Sequence, residues 1–99
     1  MGLLDILGIG KRKKMIQEVL EKGAIIIDVR TPGEFALGHV NGSFNMPLDS
    51  ILSQVNSIKN MNKPIVFCCA SGMRSGSAAS MLKREGIEAY NGGSWVNLN

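Results

Sequence analysis

Ile65-Val66-Phe67-Cys68-Cys69-Ala70-Ser71-Gly72-Met73-Arg74-Ser75-Gly76 decides how this chain folds. Pro64 stops whatever precedes it, and Ile65 to Cys68 is an unbroken run of apolar, β-branched and aromatic side chains. A run without alternation predicts a strand buried on both faces. Cys69 follows, then small residues, then Arg74, Ser75 and a helical pattern from Gly76 to Glu85. Strand, tight loop and helix in that order place the loop at a helix N-terminus. Unpaired N–H groups and the helix dipole favour negative charge there. A cysteine in that position has its thiolate stabilised, and the thiolate is the reactive form. The segment therefore joins a nucleophile to an anion cradle.

The flanking sequence supplies the rest of an α/β fold. Met15, Ile16, Val19 and Leu20 predict an amphipathic helix ended by Gly23. Ala24 to Val29 reads as a buried strand. Thr31-Pro32-Gly33 is a turn into a short helical segment around Glu34 to Leu37, closed by Gly38. Phe44 to Met46 is a second short strand, stopped by Pro47. Asp49 is the expected N-cap of a helix carrying Ile51, Leu52, Val55 and Ile58. Beyond the loop, Ala78, Ala79 and Leu82 give the next helix a face of small residues, and Gly86 caps it. Ile87 to Tyr90 is a further strand, Gly92-Gly93 a turn, and Trp95-Val96 packs the end. Alternating strands and helices imply right-handed crossovers. The result is a small, mostly parallel sheet of four to five strands with helices on both faces. Ligands of such sheets bind beyond the carboxyl ends of the strands, where Cys69 and Arg30 both lie.

Composition bounds the rest. Ninety-nine residues with 44% hydrophobic and 19% charged content make one domain with a real but modest core. The net charge of +3 comes from Lys11-Arg12-Lys13-Lys14, and the remainder is almost neutral. With no aromatics interleaved, that run reads as a solvated helix start or tail, not a nucleic-acid site. Neighbouring residues of a strand point to opposite faces, so Cys68 and Cys69 do not predict a disulfide. With one histidine besides them, no metal is expected. A reducing, cytoplasmic compartment fits two free thiols. No apolar run approaches the ~18 residues of a membrane span. The chain divides into an N-terminal apolar and basic segment, residues 1–14, docked or flexible, and a domain of residues 15–99. Met1 to Gly10 reads as a short helix whose apolar side docks on the domain or on a second subunit.

Cys69-Ala70-Ser71-Gly72-Met73-Arg74-Ser75 resembles the active-site loop of single-domain rhodaneses, which are sulfurtransferases. The resemblance runs upstream through Asp28-Val29-Arg30, Glu34, Gly38-His39-Val40, Gly42 and Asn45-Met46-Pro47. Downstream it takes in Ala78-Ala79, Leu82, Gly86, Gly92-Gly93 and Trp95. It departs from the family pattern in a shorter segment between Tyr90 and Gly92-Gly93.

The resemblance implies a rhodanese-like domain in which the Cys69 thiolate takes sulfane sulfur from a small anionic donor such as thiosulfate. A persulfide forms and passes its sulfur to cyanide, a small thiol or a protein acceptor, without a cofactor. Ala70, Ser71, Gly72, Met73, Arg74 and Ser75 are then the substrate loop. Arg74 either meets the substrate's oxygens or bonds a nearby carboxylate. Arg30 is either a rim cation of the site or an ion-pair partner of Glu34. Asp28 reads as a hydrogen-bond anchor, Cys68 as a packed residue and His39 as a residue that orders its own turn. Two alternatives stay open. A persulfide carrier would use the same loop without turnover. A phosphatase or arsenate reductase would need Cys-x5-Arg, which the chain offers only from Cys68, since Cys69 to Arg74 is Cys-x4-Arg.

Overall fold

A computed structural model of the chain describes residues 9–98. In chain order the elements are α1 (Ile9–Glu21), β1 (Ile25–Asp28), α2 (Pro32–Ala36) and β2 (Phe44–Asn45). A 3-10 helix (Leu48–Gln54) then runs into α3 (Val55–Met61). They are followed by β3 (Ile65–Cys69), α4 (Met73–Arg84), β4 (Ala89–Ser94) and a closing 3-10 turn (Trp95–Leu98). The four strands form one sheet in the order β2-β1-β3-β4, parallel throughout. All five residues of β3 are buried, as an unalternating apolar run in an inner strand requires.

The period of two along β3 sorts its side chains. Ile65, Phe67 and Cys69 join Ile27 and Val29 on the face covered by Ile51, Ile58, Ala78, Ala79 and Leu82. Val66 faces the other way, with Ile26, onto Ile16, Val19 and Leu20 of α1. Helices thus cover both faces. Of the glycines expected to end helices, Gly23 at φ 95° and Gly86 at φ 84° do so in the left-handed region. The basic run lies within α1, and Lys11, Arg12, Lys13 and Lys14 are all exposed. Most of the Met1–Gly10 stretch falls outside the described residues. Among the described residues no helix is long and apolar enough to cross a membrane.

Five local expectations need correction. Asp49 caps nothing: Pro47 stands at the N-cap of the 3-10 helix, no side chain bonds there, and Asp49 is an exposed first-turn residue. Three residues per turn also carry Leu52 to the outside, where it is 57% exposed, while Ile51 stays buried. The helix after the loop begins at Met73 and not at Gly76, because Gly72 at φ 100° makes the turn into it. Gly92-Gly93 is not a turn out of the sheet, since β4 runs on to Ser94 across an irregularity in its pairing between Phe67 and Cys69. Trp95 packs on Gly38 and over Arg30, but Val96 is 56% exposed.

Gly92 is the tightest of these approaches. A Cβ there would stand 2.6 Å from Val66 Cγ1 and 3.0 Å from the Phe67 carbonyl oxygen. Gly92→Ala should therefore lower stability by about 1–3 kcal/mol, the usual cost of overpacking. Gly33, inside α2, has nothing within 4 Å of the same position. Gly33→Ala should be neutral or stabilising by about 0.5–1 kcal/mol. Urea midpoints of the two variants, at constant m-value, check the pair.

Candidate active site

Cys69 ends β3 with no exposed surface. Its sulfur accepts the Gly72 N–H at 3.0 Å and the Ser75 N–H at 3.4 Å, and lies 3.3 Å from the Ser75 hydroxyl. The local sequence explains the geometry. Gly72, at a positive φ, swings the chain back so that the first turn of α4 crosses over the sulfur. No side chain caps α4. The Ser75 N–H, one of the donors a helix start leaves unpaired, instead finds Cys69 Sγ, which stands where a capping oxygen would.

The two cysteines part company here. Burial pushes the Cys69 thiol up, but bonds from the Ser75 side chain and from the N–H groups of Ser75, Gly72 and Ser71 outweigh it, and the net direction is down. Cys68 has no such donors. Burial and the nearby Asp28 charge push its thiol up to about 12. Both thiols are free.

Asn91 on β4 is a component that sequence reasoning missed. Its Oδ1 accepts the Ser75 hydroxyl at 2.7 Å and the Gly93 N–H at 2.9 Å, while its Nδ2 donates to the Gly72 carbonyl at 3.1 Å. One amide thus ties the loop, α4 and the end of β4 together. A polar residue before Gly92-Gly93 at a strand's carboxyl end was its only signal.

The two arginines have different employments. Arg74 donates to both oxygens of Glu34 at 2.7 and 3.0 Å, with both side chains about one-third exposed, 36% each. The Arg74 bond, with help from the Thr31 N–H, holds the Glu34 carboxyl down at about 2. Arg30 corrects the expectation of a rim cation or a partner for Glu34. It is 4% exposed and gives Nε and Nη2 to Asp28 at 2.7–3.0 Å. Its remaining bonds go to the carbonyls of Glu34 and Gly38, with the Trp95 ring 4.6 Å away. Enclosed this way, it has no free edge for a substrate. Ala70, Ser71 and Met73 form the exposed rim, Met73 at 81%. His39 orders its turn, with Nδ1 2.8 Å from the Phe35 carbonyl and its ring stacked on Phe35 at 3.7 Å. Among the described residues no cluster of His, Cys, Asp and Glu forms a metal ligand set.

A family model described as the Rhodanese-like domain matches residues 12–96. The chain belongs to the rhodanese-like family. It is 35% identical over 75 residues to the thiosulfate sulfurtransferase GlpE of Ectopseudomonas mendocina, covering 75% of this chain and 68% of that protein. It is 39% identical to YqhL of Bacillus subtilis over 80% of this chain and 65% of the relative, so it spans just under two thirds of that protein's length. Among solved structures, a rhodanese from E. coli described with anions superposes with a TM-score of 0.69 at 27% identity, over 76% of this chain and 91% of the other.

In this rhodanese-like loop the Cys69 thiolate should persist below the free-thiol value of about 8.5, and removing a donor should raise its midpoint. Alkylation followed against pH should give a midpoint under about 8.5 for the wild type. Cys68, pushed to about 12, should stay unmodified across that range. A wild-type midpoint at or above the free-thiol value would show that the N–H groups of Gly72 and Ser75 do not hold the thiolate.

Proposed function

We propose that this protein is a sulfurtransferase that carries sulfane sulfur on Cys69. The observation that carries this reading is the placement of Cys69 Sγ, at the carboxyl end of β3, under the N–H groups of Gly72 and Ser75. Family membership and the relation to a thiosulfate sulfurtransferase support the same assignment. Cys69 is the catalytic residue, and Ala70, Ser71, Gly72, Met73, Arg74 and Ser75 are the substrate loop. Arg74 acts there while paired to Glu34, shaping the rim and not serving as a free cation.

The Cys69 thiolate attacks the outer sulfur of thiosulfate. The sulfur–sulfur bond of the donor breaks, and its electron pair leaves with sulfite. Cys69 retains a persulfide whose terminal sulfur carries the negative charge. That sulfur lies at the N-terminus of α4, where the N–H groups of Met73 and Arg74, unpaired by helix geometry, join the loop donors. An acceptor thiolate or cyanide then attacks the outer sulfur, and the electron pair of the broken bond returns to Cys69. This is covalent catalysis in two half-reactions. The donor N–H groups stabilise the thiolate directly, so no separate general base enters. The chemistry needs Cys69 reduced, which assigns the protein to a reducing compartment such as the cytoplasm.

Intact mass spectrometry tests the reading. After thiosulfate, the wild type and Cys68→Ser should each gain the mass of one sulfur atom, lost again on adding cyanide. Cys69→Ser should gain nothing while keeping its unfolding midpoint. Gain of sulfur by Cys69→Ser, or its loss in Cys68→Ser, would move the nucleophile to Cys68 and sink the assignment.

A further inference from the structure

The basic run Lys11-Arg12-Lys13-Lys14 plays no part in the chemistry above, yet the topology brings it to the working end of the sheet. α1 leads directly into β1, so it lies antiparallel to the strands and its first turns stand at their carboxyl ends. A cleft of about 840 Å³ opens between α1 and the active-site loop. Arg12, Lys13, Ile16 and Leu20 line it from the helix, and Gly72 and Met73 from the loop. Its cations cluster at one end. Glu21, which also lines it, lies nine residues further along α1, roughly 13 Å by helix rise. Met73, 81% exposed in the loop, gives this wall an apolar surface with no partner in the core.

We propose that this cleft is the acceptor site, and that the acceptor is a small thiol with an anionic group at the far end of an apolar arm. The inference rests on the persulfide reading of Cys69. Arg12 and Lys13 hold the anion, Ile16 and Met73 pack the arm, and the sulfur end lies against Gly72, whose N–H meets Cys69 Sγ at 3.0 Å. The acceptor thiol loses its proton to solvent, and its thiolate attacks the outer persulfide sulfur. A new sulfur–sulfur bond forms on the acceptor, the bond to Cys69 breaks, and its electron pair restores the Cys69 thiolate. No oxidant is consumed. An acceptor without the anion lacks the only charged contact this wall provides at its basic end.

The test compares 6-mercaptohexanoate with 6-mercaptohexan-1-ol, which share the thiol and the arm and differ in charge. With thiosulfate as donor, the carboxylate should show a KM roughly five- to tenfold lower, the range two exposed ion pairs supply, and the advantage should shrink with added salt. Arg12→Glu with Lys13→Glu should erase that preference by raising the KM of the carboxylate. Both side chains are exposed on α1, so this variant is not expected to lose its fold. Lys59→Glu with Lys63→Glu alters net charge equally at the opposite end of the sheet and should leave the preference intact. Persulfide loading, read by intact mass on the same samples, reports separately on the first half-reaction. Equal KM values for the two thiols in the wild type would overturn the inference, and so would a preference that survives the Arg12 and Lys13 reversal. Absence of the persulfide would overturn the sulfurtransferase reading and this inference with it.

Discussion

The buried pair between Asp28 and Arg30 is the constraint on which the working end of the sheet depends. Asp28 accepts the Arg30 backbone N–H at 3.0 Å as well as the guanidinium, and is itself fully buried. Breaking such a pair by removing one partner costs about 3–5 kcal/mol, because the other charge stays buried. What the pair stabilises is position. The guanidinium holds the carbonyls of Glu34, inside α2, and of Gly38, just beyond it, and lies against Trp95 from the closing turn. Asn45 on β2 adds bonds to the carbonyls of Asp28 and Arg30. With α2 so fixed, its Thr31 and Glu34 form a capping box, and the Glu34 carboxylate reaches Arg74 at the start of α4. The buried arginine thus locates the exposed one.

Adjacent cysteines with opposite chemistry follow from one residue's difference in position. Cys68 pairs in register with Asp28 inside the sheet, where burial and a like charge both oppose ionisation. Cys69, one place further on, meets the irregularity where β3 and β4 pass from Phe67–Asn91 to Cys69–Ser94 pairing. The strand stops hydrogen bonding regularly there, and α4 brings its unpaired donors to the sulfur instead. Selectivity between the two thiols needs no dedicated base, only the end of a strand and the start of a helix.

The parts of this arrangement that depend on local pattern were legible in the sequence. An unbroken apolar run marked β3, a spacing of small and apolar residues marked the inner face of α4, and a cysteine before Ser-Gly-Met-Arg-Ser marked the loop. What stayed hidden depends on contacts between residues distant in the chain. Arg30 and Glu34 carry opposite charges four residues apart, yet each takes another partner, Asp28 because it shares the buried end of β1 and Arg74 because α4 starts beside α2. Asn91 joins Ser75 and Gly72, 16 and 19 positions away in sequence, which no periodicity reveals. The Gly92-Gly93 pair shows a rule overridden by packing: two glycines are a turn signal, but β4 uses Gly92 to close on Val66 and Phe67.

The cradle's small size sets the chemistry it can perform. A phosphoryl group needs three oxygens bound at once, and an arginine fork ideally meets two of them. Here the donors of Gly72 and Ser75 already converge on the single sulfur of Cys69, and the Arg74 fork is occupied by both oxygens of Glu34. Shifting the register to Cys68 lengthens the count to Cys-x5-Arg. It would also draw a fully buried residue out of the centre of the sheet and require ionisation of a thiol pushed up to about 12. A sulfur atom added to Cys69 makes no such demands. It extends the same side chain by one atom and keeps the same sign of charge. Its next neighbours are the N–H groups that open α4, the position where an anion is most stabilised by a helix.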